Sequence, residues 1–254
     1  MNILISNDDG IDAIGIKELV KAMATCGDVY VVGPSTQRSA SSHALSIRGD
    51  IVVKEVPFEG AKVALECSGT PADCVKLGLD LFKRQGIKMD AVYSGINLGA
   101  NLGTDTMYSG TVSAAAEGLL EGLPAVAVSV CSHDAIHFEA ACKLATDVLP
   151  MAMETKGQLG VISINTPDLP MEEIKGVKVA RLGVVEYDQW FEEVDRKDGT
   201  VTYRYTGEPV EHQGLEEDLD VKLTRDGYAT ISAIKYDLND YNGLKIMEKW
   251  ELNI

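Results

Sequence analysis

Two rhythms of apolar and polar positions alternate along this chain. Ile3 to Ser6 is a short, mostly apolar run closed by Asn7-Asp8-Asp9-Gly10, the pattern of a buried strand. From Ile11 to Cys26 the apolar positions fall at Ile16, Leu19, Val20 and Met23, a helical spacing with Gly27 as its stop. Asp28 to Gly33 reads as a second strand, so the first thirty or so residues predict a βαβ unit and a parallel pair. Ile51 to Val56 and Lys62 to Cys67 predict a hairpin or edge pair. Thr70-Pro71 opens a helix, with Thr70 as cap and Asp73 near its orphan amides.

The alternation continues with a strand over Asp90 to Ser94, a glycine-rich loop and an alanine-rich helix over Thr111 to Leu120. Pro124 to Val130 predicts a strand, Asp134 to Met151 a helix and Gly160 to Asn165 a strand. Strands alternating with helices predict an α/β chain, a doubly wound, mostly parallel sheet with helices on both faces. Past Pro170 the character changes. Val177 to Val185 predicts one more strand; Val185 to Val194 and Thr200 to Tyr205 flank Asp198-Gly199, a hairpin turn. That hairpin carries Tyr187, Trp190, Phe191, Tyr203 and Tyr205, which suit an interface or packing on the main sheet equally well. Asn239 to Leu252 reads as a helix able to dock on a neighbour. The whole of 1–254 is expected to be one domain, with a core over about 1–175.

Composition narrows the function classes. Of 254 residues, 45% are hydrophobic and 24% charged, a balance foreign to disordered chains. Lysine and arginine number 23 against 39 acidic residues, a net charge of −16, which argues against a broad nucleic-acid surface. The five cysteines form no C-x-x-C pair and predict free thiols. MNILISNDDG lacks the basic start and long apolar stretch of a secretory leader, so a cytoplasmic location is expected.

Ligands of open parallel sheets bind at the carboxyl ends of the strands, so the residues there are the candidates. Asp8-Asp9 is the sharpest feature. Two carboxylates 4 Å apart repel by about 4 kcal/mol at an effective dielectric of 20, and therefore call for a proton, an arginine or a cation. Gly10 permits a turn that lets both converge on one ion, and the hard oxygens nearby suit magnesium, manganese or calcium better than zinc. Ser94 to Thr111 is the second feature. Its glycines and small hydroxyls let amides approach an anion, and Ser109-Gly110-Thr111 opens a helix whose positive end favours one.

Weaker candidates compete. His133 and His137, four apart, predict a helix-surface pair rather than a zinc site. His43 and His212 read as loop residues, with His43 in reach of the crevice; Arg38 and Arg48 offset phosphate charge or serve solubility. Ser39 fits no nucleophile elbow and reads as a ligand or substrate contact.

NDDG, VVGPSTQRSASSHALSI, GTPADCV, SGINLGANLG and YSGTVSAAAEG, in this order, resemble the SurE family of metal-dependent nucleotidases. The resemblance spans Met1 to about Asn165. It implies a Rossmann-like core with a projecting β-hairpin, a C-terminal helix exchanged on oligomerisation, and a homodimer or homotetramer. It implies hydrolysis of nucleoside 5′- and 3′-monophosphates with one divalent cation, Mn2+ or Mg2+, and no stable nucleic-acid or membrane partner. The metal ligands it implies are Asp8, Asp9, Ser39 and Asn97, with Asp8, Asp9 and Asn97 catalytic. The phosphate contacts it implies are Asn101, Ser109, Gly110 and Thr111. The C-terminal part departs from the family pattern, at Asp218-Leu219-Asp220 and over Thr230 to Ile234. Two alternatives stand beside it. A haloacid-dehalogenase-like phosphatase would need D-x-D-x-T, which Gly10 breaks. A non-enzymatic phospho-receiver or nucleotide-binding protein would need a lysine that PAVAVSVCS does not supply.

Overall fold

A computed structural model describes residues 1–188, 191–207, 209–210 and 216–250. Trp190, His212 and the end of the expected C-terminal helix at Glu251 and Leu252 lie outside the described residues.

The strands are β1 (Asn2–Ser6), β2 (Asp28–Pro34), β3 (Val53–Glu55), β4 (Ala61–Cys67), β5 (Ala91–Leu98), β6 (Ala125–Val130), β7 (Val161–Thr166), β8 (Val177–Val179), β9 (Phe191–Lys197), β10 (Thr200–Tyr205) and β11 (Ala229–Ile234). The helices are α1 (Ile14–Met23), α2 (Pro71–Arg84), α3 (Gly110–Leu120), α4 (Glu139–Glu154), α5 (Asp220–Arg225) and α6 (Tyr241–Met247). A nine-stranded sheet runs β3-β4-β2-β1-β5-β6-β7-β11-β8, and β9 and β10 form a separate two-stranded ribbon. From β4 to β7 all neighbours are parallel; β3 pairs antiparallel with β4, and β11 antiparallel with β7.

Period two on β1 divides the core. Ile3 and Ile5 face α1 and α4 with Ile16, Leu19, Ala141 and Val148. Leu4 faces the other side, with Val75 and Phe82 of α2 and Ala114 of α3. Both faces are covered, which explains the near-continuous apolar runs of the central strands. The chain moves outward from β1 through β2 to β4, then returns to lay β5 on the other side of β1. The carboxyl ends of β1 and β5 therefore flank the switch point where such sheets bind ligands. Among the described residues no helix is long and apolar enough to cross a membrane.

Several expected boundaries move. β5 continues to Leu98, with its pairing to β6 shifting register between Ser94 and Asn97, so part of the expected loop is strand. α4 starts at Glu139, not Asp134, because the Asp168 carboxylate accepts from the amides of Ile136 and His137 (3.1 and 2.9 Å) and holds them in a loop. His133 and His137 are thus not a helix pair. β8 stops at Val179, after which the chain is fixed through Gly183 to the buried carboxylate of Asp220. The hairpin turn falls at Asp198-Gly199 as expected, but β9 begins only at Phe191. The expected C-terminal helix shortens to α6. β11, which sequence periodicity did not single out, extends the sheet and carries Thr230 to Ile234.

Candidate active site

The switch point opens into a cavity of about 620 Å³. Asp8, Ser39, Asn97, Asn101 and Ser109 are among the residues that line it. Asp8 is buried (5% exposed) at the end of β1 and faces the start of α3, where the Thr111 hydroxyl donates to its Oδ1. Gly110 brings α3 this close: a Cβ there would lie 2.9 Å from Asp8 Oδ2 and 2.9 Å from Ser41 Oγ. Burial pushes the Asp8 carboxyl up to about 6; the Thr111 hydrogen bond opposes this and the Asp9 charge adds to it.

Asp9 is held from the other side. Its Oδ2 accepts from the Leu98 amide at the end of β5 (2.9 Å) and its Oδ1 from Gln37 Nε2 (3.3 Å). Burial raises its pKa against those two bonds. Gly10, at φ +105°, turns the chain after the acid pair, and its carbonyl accepts from Asn7 Nδ2 (2.8 Å).

The loop carrying Ser39 is tied to the same place. The Arg38 amide donates to the Asp8 carbonyl (2.7 Å), and Ser42 donates through its amide to the Tyr108 carbonyl (3.0 Å) and through its hydroxyl to the Met107 carbonyl (2.8 Å). Farther along, His43 Nε2 meets the buried Glu117 of α3 at 2.8 Å, and Lys76 of α2 donates to the same carboxylate at 2.9 Å. Burial would raise the Glu117 pKa, but these two partners hold it below the usual range. His43 therefore clamps the loop to α3 and lies apart from the crevice lining. Arg38 turns its guanidinium to the Ser68 carbonyl (3.0 Å), and neither it nor Arg48 lines the cavity.

Ser109 caps α3, its Oγ accepting from the Val112 amide (3.0 Å). The amides of Gly110 and Thr111 belong to the first turn, where the helix offers no acceptor, and the Thr111 amide acts on the Asp8 carboxyl, opposing the rise in its pKa. Asn101 is held by Asn165, whose Oδ1 accepts its amide (2.9 Å), and donates one side-chain N–H to Ser129 Oγ (2.8 Å). Asn97 donates to the Gly99 carbonyl (2.8 Å), which leaves its Oδ1 for a ligand.

The donor set fits a hard divalent cation. It offers two carboxylates and neutral oxygens, and no sulfur. Among the described residues, buried Asn7 Oδ1 and Ser41 Oγ have no hydrogen-bond partner, nor do Ser6 Oγ and Ser94 Oγ on the paired strands behind them. Magnesium-type ions are held by one or two carboxylates and retain waters, in keeping with so few acids. Among the described residues no group of three or more His, Cys, Asp and Glu is placed to hold a metal ion, so the neutral oxygens of Ser39 and Asn97 would have to complete the set.

Some site residues were not legible. Gln37 and Ser41 sit among many polar residues of one loop, with nothing to mark them. His133, on a turn, lines the cavity through Nδ1 against the Leu98 carbonyl (3.1 Å). Tyr108, Tyr187, Phe191 and Tyr205 also line it. The hairpin aromatics do not pack on the main sheet: Phe191, Tyr203 and Tyr205 stay exposed. Asp220, part of the departure from the family pattern, is structural, accepting from the amides of Gly103 and Gly183 at 2.8 Å each.

Comparison with known proteins gives a consistent result. Residues 3–189 match the family described as Survival protein SurE. The 5′-nucleotidase SurE of a Nostoc species is 42% identical over 99% of this chain and 98% of its own. That of Pelotomaculum thermopropionicum is 42% identical over 98% and 93%. The crystal structure of the SurE protein from Aquifex aeolicus superposes with a TM-score of 0.83 at 33% identity, covering 98% of each chain.

Proposed function

The chain belongs to the SurE family, and from that premise we propose that it hydrolyses nucleoside 5′- and 3′-monophosphates to nucleoside and phosphate. The observation that carries this reading is the meeting of Asp8, one of two adjacent carboxylates, with the first turn of α3 across Gly110. A carboxylate pair beside an anion-binding helix start has no use for an anion unless a cation stands between them.

Asp8, Asp9, Ser39 and Asn97 are the residues that would hold the ion. When bound there, manganese or magnesium supplies positive charge to the phosphate oxygens and lowers the pKa of a water. The amides of Gly110 and Thr111, the Ser109 hydroxyl and the second side-chain N–H of Asn101 hold the remaining phosphate oxygens. Because these donors are fixed by a helix start and by Asn165, they are preorganised for the charge of the transition state. Thr111 orients Asp8, and Leu98 and Gln37 orient Asp9.

The working form in this reading is a homodimer or homotetramer. No residue of α6 is buried within the protomer, and Leu238 just before it is 94% exposed. Five free thiols suit a reducing cytoplasm.

The test is phosphate release from nucleoside monophosphates after chelation, then with magnesium or manganese restored. Activity is expected to vanish and return. Asp8→Asn is expected to fold, by circular dichroism, and to lose metal-dependent turnover. A folded Asp8→Asn protein with full activity, or no release with any metal, would overturn the assignment.

A further inference from the structure

Asp8 and Asp9 follow β1 directly and Asn97 lies on β5, but Ser39 sits in a long connection, 35–52, that forms neither strand nor helix. No residue from 35 to 50 is buried, so apolar packing does not hold this loop in place. Its backbone is also unfavourable by itself. Ala40 and Ser42, just beyond Ser39, lie at φ +54° and +51°, a region that residues with a Cβ rarely enter. Such conformations persist only where the surrounding contacts over-determine them.

His43, four residues beyond Ser39, makes two of those contacts through its ring. Nε2 meets Oε1 of the buried Glu117 on α3 at 2.8 Å, and Nδ1 meets the Tyr236 hydroxyl at 3.2 Å. The His43 and Tyr236 rings also cross edge to face, with centroids 5.6 Å apart and planes at 80°. An ionised carboxylate only accepts, so the hydrogen lies on Nε2, and the Tyr236 hydroxyl donates to Nδ1. With both nitrogens partnered, the ring has one orientation. Tyr236 lies two residues beyond β11, so the ring ties the loop to two distant parts of the fold. Glu117 belongs to the same helix whose Thr111 donates to Asp8, so the tie fixes the loop relative to Asp8 itself. His43, Glu117 and Tyr236 are all absent from the cavity lining, so none of them is placed to touch a ligand there.

We propose that the Glu117–His43–Tyr236 chain positions Ser39 and so sets how tightly the site holds a divalent cation, with His43 and Tyr236 as positioning residues. This rests on the reading of Ser39 as a metal ligand. Groups that orient a ligand without touching the ion commonly change metal affinity by about 10–100-fold when removed.

The test measures Mn2+ binding by isothermal titration calorimetry without substrate, beside kcat and KM for nucleoside monophosphates at saturating Mn2+. It uses the unmutated protein, His43→Ala, His43→Gln and Tyr236→Phe, each checked for folding by circular dichroism. In His43→Ala the Mn2+ Kd is expected to rise about tenfold, while kcat at saturating Mn2+ falls far less. His43→Gln keeps a donor for Glu117 and is expected to recover most of the affinity. Tyr236→Phe loses one hydroxyl and keeps its ring, and is expected to raise Kd about threefold, the effect of one neutral hydrogen bond. An unchanged Kd in His43→Ala overturns the positioning role, as does a Kd in His43→Gln as weak as that of His43→Ala. An unchanged Kd in Tyr236→Phe removes Tyr236 from the chain. Should His43→Ala not fold, Tyr236→Phe decides, and an unchanged Kd there overturns the proposal. An unmutated protein that binds no Mn2+ overturns the metal site and the positioning chain with it. One that binds Mn2+ but releases no phosphate overturns the nucleotidase reading, and the positioning chain is still judged by the Kd values.

Discussion

Asp8 and Asp9 are neighbours in the chain with different guardians. Asp8 is buried against Thr111 and the bare backbone of Gly110; Asp9 is held by Leu98 and Gln37. The acid pair after the first strand was legible as a candidate, because nothing in a turn requires two adjacent carboxylates. Which groups would hold them was not, because Thr111 lies 103 positions from Asp8 and Leu98 lies 89 from Asp9. Gly110 was expected only as part of an anion loop; the structure gives it a second reason, the close approach to Asp8. Gly110→Ala is therefore expected to keep its circular dichroism spectrum while kcat/KM for nucleoside monophosphates falls about 100-fold, since small misplacements of reacting groups carry such costs. A loss of less than about threefold would mean that Asp8 and Ser41 yield freely to the new methyl group.

Elements were legible where local chemistry marks their ends. The α2 capping box is an example: Thr70 Oγ1 accepts from the Asp73 amide (3.1 Å), and Asp73 accepts from the Thr70 amide (2.9 Å). Asp73 also accepts from the Ser46 amide, a long-range bond no spacing reveals. Burial would raise its pKa, yet the bonds from Thr70 and Ser46 outweigh that and leave it lowered. A lowered folded-state pKa gives stability that is present above the unfolded value and lost as pH falls through the folded one. Asp73→Asn is thus expected to cost about 1–2 kcal/mol at neutral pH. In thermal melts, the gap between the two proteins should close as pH falls below about 4. A gap that persists at low pH would show that the charge contributes nothing. The start of α4 was misjudged for the same kind of reason. Asp168 comes from beyond β7 to take the amides of Ile136 and His137, so a remote carboxylate overrides a helical pattern.

At the scale of the molecule, α6 and the segment before it present Leu238, Tyr241, Leu244 and Ile246 to solvent in the protomer. An apolar helix of seven residues is too short to persist without packing. Leu244→Asp combined with Ile246→Asp is expected to lower the mass measured by light scattering to that of a single chain, with the core fold retained. An unchanged mass would mean that α6 carries no subunit contact. What the sequence by itself determined was local: the alternation of strand and helix, the caps, the hairpin turn at Asp198-Gly199 and the acid and glycine-rich strand ends. These depend on residues within a few positions of one another, where propensity and hydrogen-bond chemistry act directly. The tertiary structure alone decided which strand ends meet. Right-handed crossovers allow β5 to lie beyond β4 or beside β1, and only packing of both sheet faces selects the place beside β1. That choice brings Asn97 and Leu98 to Asp9, and α3 to Asp8. It also leaves the foot of the β9–β10 ribbon facing them, because Tyr187 and Val185 bind the turn that precedes α3.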